Sequence, residues 1–234
     1  MKNTIQDKAK LVNSVFSKVY KKYDLMNDIV SLGVHRIWKN NFINWLKPSA
    51  NSNLIDVAAG TGDIAKLFSY HTNHSPNIIC VEPNDKMFEE GKKNLKNYRN
   101  IKWLNAKAES LPVSDNSFDY YTISFGIRNV SDINKTLREA YRVLKTGGRF
   151  MCLEFSKIDN EVLNFLYKNY SKLIPIAGKY IVGSAEPYDY LIRSIDTFYN
   201  QKQLSDIIIK NGFSNVEYRN LSNGISAIHS GWKI

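Results

Sequence analysis

The sequence of 234 residues is 43% hydrophobic and 23% charged, which is enough apolar material for one α/β domain with a sizeable core. No apolar run approaches the roughly 18 residues of a membrane span, and the first ten residues carry no apolar signal core, so we expect a cytoplasmic protein. The formal net charge of +10 comes from lysines and arginines scattered along the chain, which favours a solvated surface over a nucleic-acid partner.

An amphipathic helix is predicted over residues 8 to 23. Leu11, Val15, Val19 and Tyr23 recur at four-residue spacing, and five lysines lie among them. Two roles stay open for this basic helix: it caps the core, or it lies on a membrane surface or over the substrate. A second helix is expected near residues 35 to 46, and His35 at its start is a candidate base or substrate contact.

Strand and helix signals then alternate, which predicts a parallel sheet wrapped by helices. Strands are expected at 53–58, 77–82, 100–105, 118–124 and 148–155, and helices at 63–71, 85–97 and 132–144. Residues 158 to 200 are helical and aromatic in pattern, and the last strands are expected at 214–220 and 225–231. We interpret the chain as one domain, 1–234, with four parts: a helical cap (1–50), a cofactor-binding core (51–156), a helical substrate lid (157–205) and a C-terminal hairpin (206–234).

The segment LIDVAAGTGDIA, residues 54 to 65, fits the strand, glycine turn and helix of a nucleotide-binding unit. Asp56 and Asp63 flank the turn formed by Gly60, Thr61 and Gly62. Two carboxylates would repel a pyrophosphate, whereas they suit the ammonium and sulfonium groups of S-adenosylmethionine. This favours a methyltransferase over a dehydrogenase, with a purely structural glycine turn as the remaining alternative.

Other candidate site residues follow the next strands. Glu82 ends the second strand, 22 residues after Gly60, where an acid meets the ribose hydroxyls of a nucleoside. The backbone near Ala108 is placed to contact an adenine edge. Arg128 and Asn129, after the fourth strand, are catalytic candidates, and we expect Arg128 to stabilise an oxyanion. The four histidines have no metal-binding spacing, so no metal is expected.

Six segments resemble signature segments of the ubiquinone/menaquinone biosynthesis C-methyltransferases, and the resemblance extends from about residue 11 to residue 234. These segments are YDLMNDIVSLGVHRIWK (23–39), DVAAGTGDIA (56–65), SFGIRNVSD (124–132), YRVLKTGGRFMCLEFSK (141–157), YDYLIRSIDTF (188–198) and NLSNGISAIHSGWKI (220–234). The resemblance implies a class I S-adenosylmethionine-dependent methyltransferase fold, with a Rossmann-like, mostly parallel seven-stranded sheet. It also implies methylation of a ring carbon on a polyprenylated benzoquinol, on demethylmenaquinol, or on both.

Matching positions carry residue roles over from the family. Cofactor contacts fall on Thr61, Glu82, Lys107, Ala108 and Ser124, beside the acids and glycines of the turn. Glu82 and Lys107 stand where the family usually has Asp and Asn, and Ala59 and Thr146 replace Gly and Pro. Tyr188 and Tyr190 lie in a matching segment and are expected to shape the pocket for the quinol ring.

The implied substrate carries an insoluble polyprenyl tail, so the enzyme must meet it at a bilayer or receive it from a partner. We expect peripheral contact with the inner membrane through the basic N-terminal helix or residues 160–174. Other quinone-biosynthesis enzymes and a second copy of the chain are further candidate partners. The alternatives are a class I methyltransferase acting on another small molecule or on nucleic acid, and a non-catalytic scaffold in quinone biosynthesis.

Overall fold

The computed structural model describes residues 2–31, 33–158, 167, 169–170 and 186–234. Its helices are α1 (Lys2–Val19), α2 (Tyr23–Ser31), α3 (His35–Leu46), α4 (Asp63–His71), α5 (Asp85–Asn94), α6 (Ile133–Val143), α7 (Glu186–Asp196) and α8 (Gln201–Lys210). Its strands are β1 (Leu54–Val57), β2 (Ile78–Val81), β3 (Ile101–Leu104), β4 (Phe118–Ser124), β5 (Leu144–Phe155), β6 (Ser214–Leu221) and β7 (Ser226–Trp232).

The seven strands form one sheet in the order β3-β2-β1-β4-β5-β7-β6. The first five strands are parallel, and β7 pairs antiparallel with both β5 and β6. The strand order reverses between β1 and β4, and ligands of open α/β sheets bind at the carboxyl ends of strands beside such a switch point. The topology therefore places the site where the loops after β1 and β4 meet.

Apolar clusters on both faces of the sheet hold the helices in place. Phe42 and Phe68, from α3 and α4, are fully buried in one cluster, and Leu137 and Ile208, from α6 and α8, in the other. Along β5, Met151 and Leu153 belong to the first cluster, and Phe150 and Cys152 belong to the second. Burial on both faces explains why the strands read as nearly continuous apolar runs in the sequence.

Some elements differ from their predicted bounds. The first helix ends at Val19, and α2 follows after a short 3₁₀ turn over Tyr20–Lys22. No glycine or proline marks that bend, so the apolar periodicity predicts one uninterrupted helix there.

Strand β5 begins at Leu144 rather than 148, because Leu144 pairs with Phe118 ahead of the glycine pair. Helix α8 crosses the boundary that we placed at residue 205. The capping box formed by Asn200 and Gln203 marks the start of this helix in the sequence and could have predicted it.

Much of the predicted lid, including most of residues 160–174, lies outside the described residues. Among the residues that the structure describes, no helix is long and apolar enough to cross a bilayer.

Candidate active site

A cavity of about 360 Å³ opens at the carboxyl ends of β1, β2 and β4. It brings together predicted site residues from four separate segments, namely Gly60, Glu82, Lys107, Ala108 and Asn129. Helix α1 forms another part of the wall, to which it contributes Ala9, Lys10, Val12, Asn13 and Phe16. The cavity is large enough for a small-molecule ligand of nucleoside size or above.

Glu82 connects the end of β2 to the glycine turn. Its Oε2 accepts a hydrogen bond from the Gly60 N–H, and its Oε1 accepts one from the Asn84 N–H, both at 2.9 Å. Each oxygen keeps a free lone pair for a ligand hydroxyl. Burial raises the pKa of Glu82 to about 7, against the opposing effect of these two hydrogen bonds. Glu82 can therefore accept hydrogen bonds from hydroxyl groups of a ligand in the large cavity.

Asp56, the third residue of β1, lines a second, much smaller cavity. Its Oδ1 accepts a hydrogen bond from the Thr122 hydroxyl at 2.8 Å, while its Oδ2 has no partner among the described residues. Burial raises the pKa of Asp56 to about 7. The hydroxyl of Ser124, on the same cavity wall, also lacks a partner within the described part of the chain. One carboxylate oxygen and one hydroxyl in the described part of the chain therefore keep acceptor capacity for a ligand group at this cavity.

The glycine turn depends on backbone conformations that disfavour side chains. Gly60 and Gly62 have φ values of 59° and 90°, and Gly62 precedes the first residue of α4. A Cβ on Gly62 would lie 2.4 Å from Cδ1 of Leu95, so its close approach to the helix α5 segment requires glycine. Thr61 is buried and lines the small cavity, whereas Gly62 lines neither cavity.

Arg128 is buried and is not part of the wall of the large cavity. Its Nη1 donates to Oε1 of Glu154 at 2.6 Å and to the Phe125 carbonyl at 2.7 Å. Its guanidinium also lies over the ring of Phe155, 5.5 Å from the centroid. The positive charge of Arg128 is thus balanced by Glu154, a residue that sequence reasoning did not single out.

Asn129 lies in the cavity wall and contacts one predicted substrate residue. The Tyr190 hydroxyl donates to Oδ1 of Asn129 at 2.8 Å. Tyr188 is fully buried, and its hydroxyl has no partner in the part of the chain that the structure describes. His35 is also buried, with its Nε2 2.8 Å from Oδ1 of Asp28, and burial lowers its pKa. The structure therefore brings Tyr190 to Asn129, and it places His35 away from both cavity walls.

The sequence left open whether the N-terminal helix caps the core or covers the substrate, and the contacts of α1 were not predicted. Lys8 Nζ donates to the carbonyls of Arg128 and Val130, at 3.1 and 2.8 Å. On the opposite side, Asn84 Nδ2 donates to Oδ1 of Asn13 at 2.6 Å. Helix α1 is thus fastened to two loops that border the large cavity. The amphipathic pattern predicted the helix, but the partners of Lys8 and Asn13 are far away in the sequence and have no local signal.

Comparison with known proteins identifies the family. The model of the ubiE/COQ5 methyltransferase family matches residues 2–233. The chain belongs to this family. A protein of Rickettsia bellii strain OSU 85-389, named ubiquinone/menaquinone biosynthesis C-methyltransferase UbiE, is 52% identical over 97% of this chain and 94% of its own length. The protein of the same name from Rickettsia prowazekii strain Madrid E is also 52% identical, over 96% of this chain and 93% of its own length.

Solved structures agree on the fold. An S-adenosylmethionine-dependent methyltransferase of Thermotoga maritima, described as a possible histamine N-methyltransferase, superposes with a TM-score of 0.69. It is 20% identical and covers 95% of this chain and 100% of its own. A Haemonchus contortus N-methyltransferase, solved with S-adenosylhomocysteine, gives a TM-score of 0.63 at 13% identity, covering 84% of this chain and 52% of its own. The predicted family, methyltransferase activity and class I fold are confirmed.

Proposed function

We propose that this chain transfers a methyl group from S-adenosylmethionine to a ring carbon of a polyprenylated benzoquinol, of demethylmenaquinol, or of both. The observation that carries the proposal is the family match over nearly the whole chain, with curated relatives of that named activity at 52% identity. The cavity at the sheet's switch point, with its acids and covering helix, supports it.

The methyl donor is S-adenosylmethionine, as the sequence predicted. When bound, it supplies an electrophilic methyl group on a sulfonium. Glu82 is proposed to hold the ribose hydroxyls, and the backbone at Ala108 to contact the adenine, because both line the large cavity. Asp56, Thr61 and Ser124 line the small cavity, which shares Ala58, Gly60 and Phe125 with the large one. This contiguity supports placing one extended ligand across both cavities.

The acceptor carbon becomes nucleophilic when a neighbouring ring hydroxyl loses its proton. We propose that Asn129 and Tyr190 contact the ring, since their side chains are joined by a hydrogen bond at the cavity wall. Arg128 is proposed to stabilise the developing quinolate, while Glu154 fixes its guanidinium. Positioning of aligned reactants contributes about 7 to 11 kcal/mol, more than the roughly 3 to 4 kcal/mol from one oxyanion donor. Holding the ring in place should therefore lower the activation barrier more than the stabilisation of the quinolate does.

The direct test incubates the purified protein with S-adenosylmethionine and demethylated benzoquinol and naphthoquinol analogues under reducing conditions. We expect a product heavier by one methyl group on a ring carbon, detected by mass spectrometry. A methylated hydroxyl or amine would point to another methyltransferase activity, and cofactor binding without any product would favour a scaffold. Full turnover by Arg128→Ala, with cofactor affinity unchanged, would refute the role of Arg128.

We further propose that the protein reaches its substrate by peripheral contact with an anionic membrane. Leu11, Leu25 and Ile37 expose large apolar side chains on the three N-terminal helices, and Lys10, Lys21 and other basic residues lie near them in the sequence. Binding to vesicles is expected to rise with the anionic lipid fraction and to fall with salt. Binding that ignores both variables would contradict this. A homodimer and assembly with other quinone-biosynthesis enzymes stay predictions.

A further inference from the structure

Phe125, the residue that follows β4, has a backbone conformation that bulky residues rarely adopt. Its φ is 54°, in the left-handed region, and only 3% of the residue is exposed. Of the nine non-glycine residues with positive φ in the described part of the chain, Phe125 alone is buried. This conformation is unfavourable because Cβ approaches the following carbonyl oxygen, and it persists only where the surroundings impose it.

Three contacts hold the backbone of Phe125 in place. Its N–H donates to a backbone carbonyl of the neighbouring strand β5 at 2.7 Å. Its ring packs against the rings of Trp38 and Phe155, with centroid separations of 6.3 and 4.9 Å. The next residue, Gly126, has no room for a side chain, because a Cβ there would lie 2.6 Å from Cβ of Ala58. The chain is thus fixed on both sides of the left-handed residue.

The carbonyl of Phe125 accepts hydrogen bonds from both catalytic candidates. Arg128 donates to it through Nη1 at 2.7 Å, and Asn129 donates to it through Nδ2 at 3.3 Å. On the other side of the same amide, Oδ1 of Asn129 accepts a hydrogen bond from the Tyr190 hydroxyl at 2.8 Å. A reversed amide would bring two acceptor oxygens together at Phe125, so these two contacts fix the orientation of Asn129.

This arrangement leaves N–H donors available on both side chains. In the described part of the chain, Arg128 uses Nε and Nη1, so the two N–H groups of Nη2 remain, and Asn129 keeps one N–H of Nδ2. Donors that are fixed in advance stabilise a negative charge that develops on an oxygen. If φ of Phe125 relaxed to a negative value, its carbonyl would turn, and both side chains would lose their shared acceptor.

We propose that Phe125 is a positioning residue for the methyl transfer. Its left-handed backbone aims one carbonyl at Arg128 and Asn129, and its ring anchors that backbone against the unfavourable φ. The donors therefore need no reorganisation when the acceptor ring becomes a quinolate. This inference rests on the proposed function, because it takes these two side chains to act on the quinolate.

The test compares the steady-state kinetics of Phe125→Ala and Phe125→Gly. Both variants lack the ring, so both lose the same contacts with the cavities and with the aromatic neighbours. They differ in the backbone, because glycine adopts positive φ readily and alanine does not. We expect Phe125→Ala to lower kcat about 100-fold. The kcat of Phe125→Gly should be about 5- to 30-fold higher than that of Phe125→Ala, the ratio that corresponds to about 1 to 2 kcal/mol. The Kd of S-adenosylmethionine should not separate the two variants.

Phe88 provides the matched control. It is a partly buried phenylalanine of α5 whose ring contacts Trp103, and its φ is not positive. Glycine is less favourable than alanine inside a helix, so Phe88→Gly should be no faster than Phe88→Ala. A role in packing alone predicts that glycine, the smaller residue, is no better than alanine at either position. Circular dichroism and the melting temperature verify that each variant is folded.

Equal kcat values for the two Phe125 variants, or a faster alanine variant, would overturn the inference. If neither variant folds, NMR spectroscopy of the ligand-free wild-type protein decides. A positive φ gives a strong nuclear Overhauser effect between the amide and α protons of Phe125, and the bond to its carbonyl should slow the exchange of one Nδ2 proton of Asn129. Absence of either signal would refute the positioning role. If both signals are present and the wild-type protein methylates no quinol, the proposed function fails instead.

Discussion

The ionised side chain of Asp56 should lower the stability of the ligand-free protein, although it is proposed to bind the cofactor. The variant Asp56→Asn tests this effect on stability. Burial raises the pKa of this carboxyl from 3.8 to about 7. The unfolded chain therefore gives up the proton at lower pH than the folded chain does. With these signs, the free energy of unfolding falls as the pH rises through this range, because the ionised form is disfavoured only in the folded state.

The magnitude follows from the two pKa values. A difference between about 7 and 3.8 corresponds to about 4 kcal/mol once both states are ionised. Between about pH 5.5 and about pH 8.5, the part that changes is about 2 kcal/mol. Asn at this position keeps the acceptor for the Thr122 hydroxyl and removes the titration. Its amide donor faces the small cavity, and its desolvation costs about 1 to 3 kcal/mol at every pH.

Urea denaturation followed by tryptophan fluorescence at the two pH values measures the effect. The stability of Asp56→Asn relative to wild type should improve by about 2 kcal/mol from about pH 5.5 to about pH 8.5. Asp119→Asn is the control, because Asp119 pairs with Lys145 at the opposite end of the sheet and is partly exposed. A relative stability of Asp56→Asn that does not vary with pH would refute the reasoning.

The same variant should respond less to the cofactor. S-adenosylmethionine at about 100 times its Kd is expected to stabilise the wild-type protein by about 2.7 kcal/mol. If Asp56→Asn weakens binding about 10- to 100-fold, the same concentration stabilises the variant by only about 0.4 to 1.4 kcal/mol. An undiminished response would show that Asp56 does not contact the cofactor.

Three other substitutions test further contacts. Glu154→Gln leaves the buried charge of Arg128 without its counter-ion, so urea denaturation should show a loss of about 3 to 5 kcal/mol; a loss below about 1 kcal/mol would contradict the importance of this pair. Gly91→Ala would place a Cβ 2.1 Å from Cη2 of Trp103, so calorimetry should show a loss of stability of about 1 to 3 kcal/mol. An unchanged melting temperature would show that the Trp103 ring moves aside at no cost. Asn84→Ala releases one fastening of α1 and should speed cofactor dissociation in stopped-flow measurements; an unchanged rate would mean that α1 does not limit exchange.

Local patterns sufficed for the order of the elements that form the core. The glycine turn, the acid at the end of β2 and the loop after β4 each follow a short apolar run, and parallel strands deliver their carboxyl ends to one edge. Placing Gly60, Glu82 and Asn129 around one cavity therefore required only the strand order. Where no glycine or proline marks a bend, as between α1 and α2, the sequence pattern was insufficient.

The sequence by itself determined the fold class, the family and the charge of the ligand, because each depends on motifs whose residues are neighbours along the chain. Only the tertiary structure decided which distant side chains complete the site. Lys8 reaches the loop at Arg128 and Val130, Lys39 reaches Asp63, and Glu154 neutralises Arg128 from the next strand. These contacts depend on how helices and strands pack, and a lysine or glutamate whose partner is far away in the sequence carries no local signal of its role.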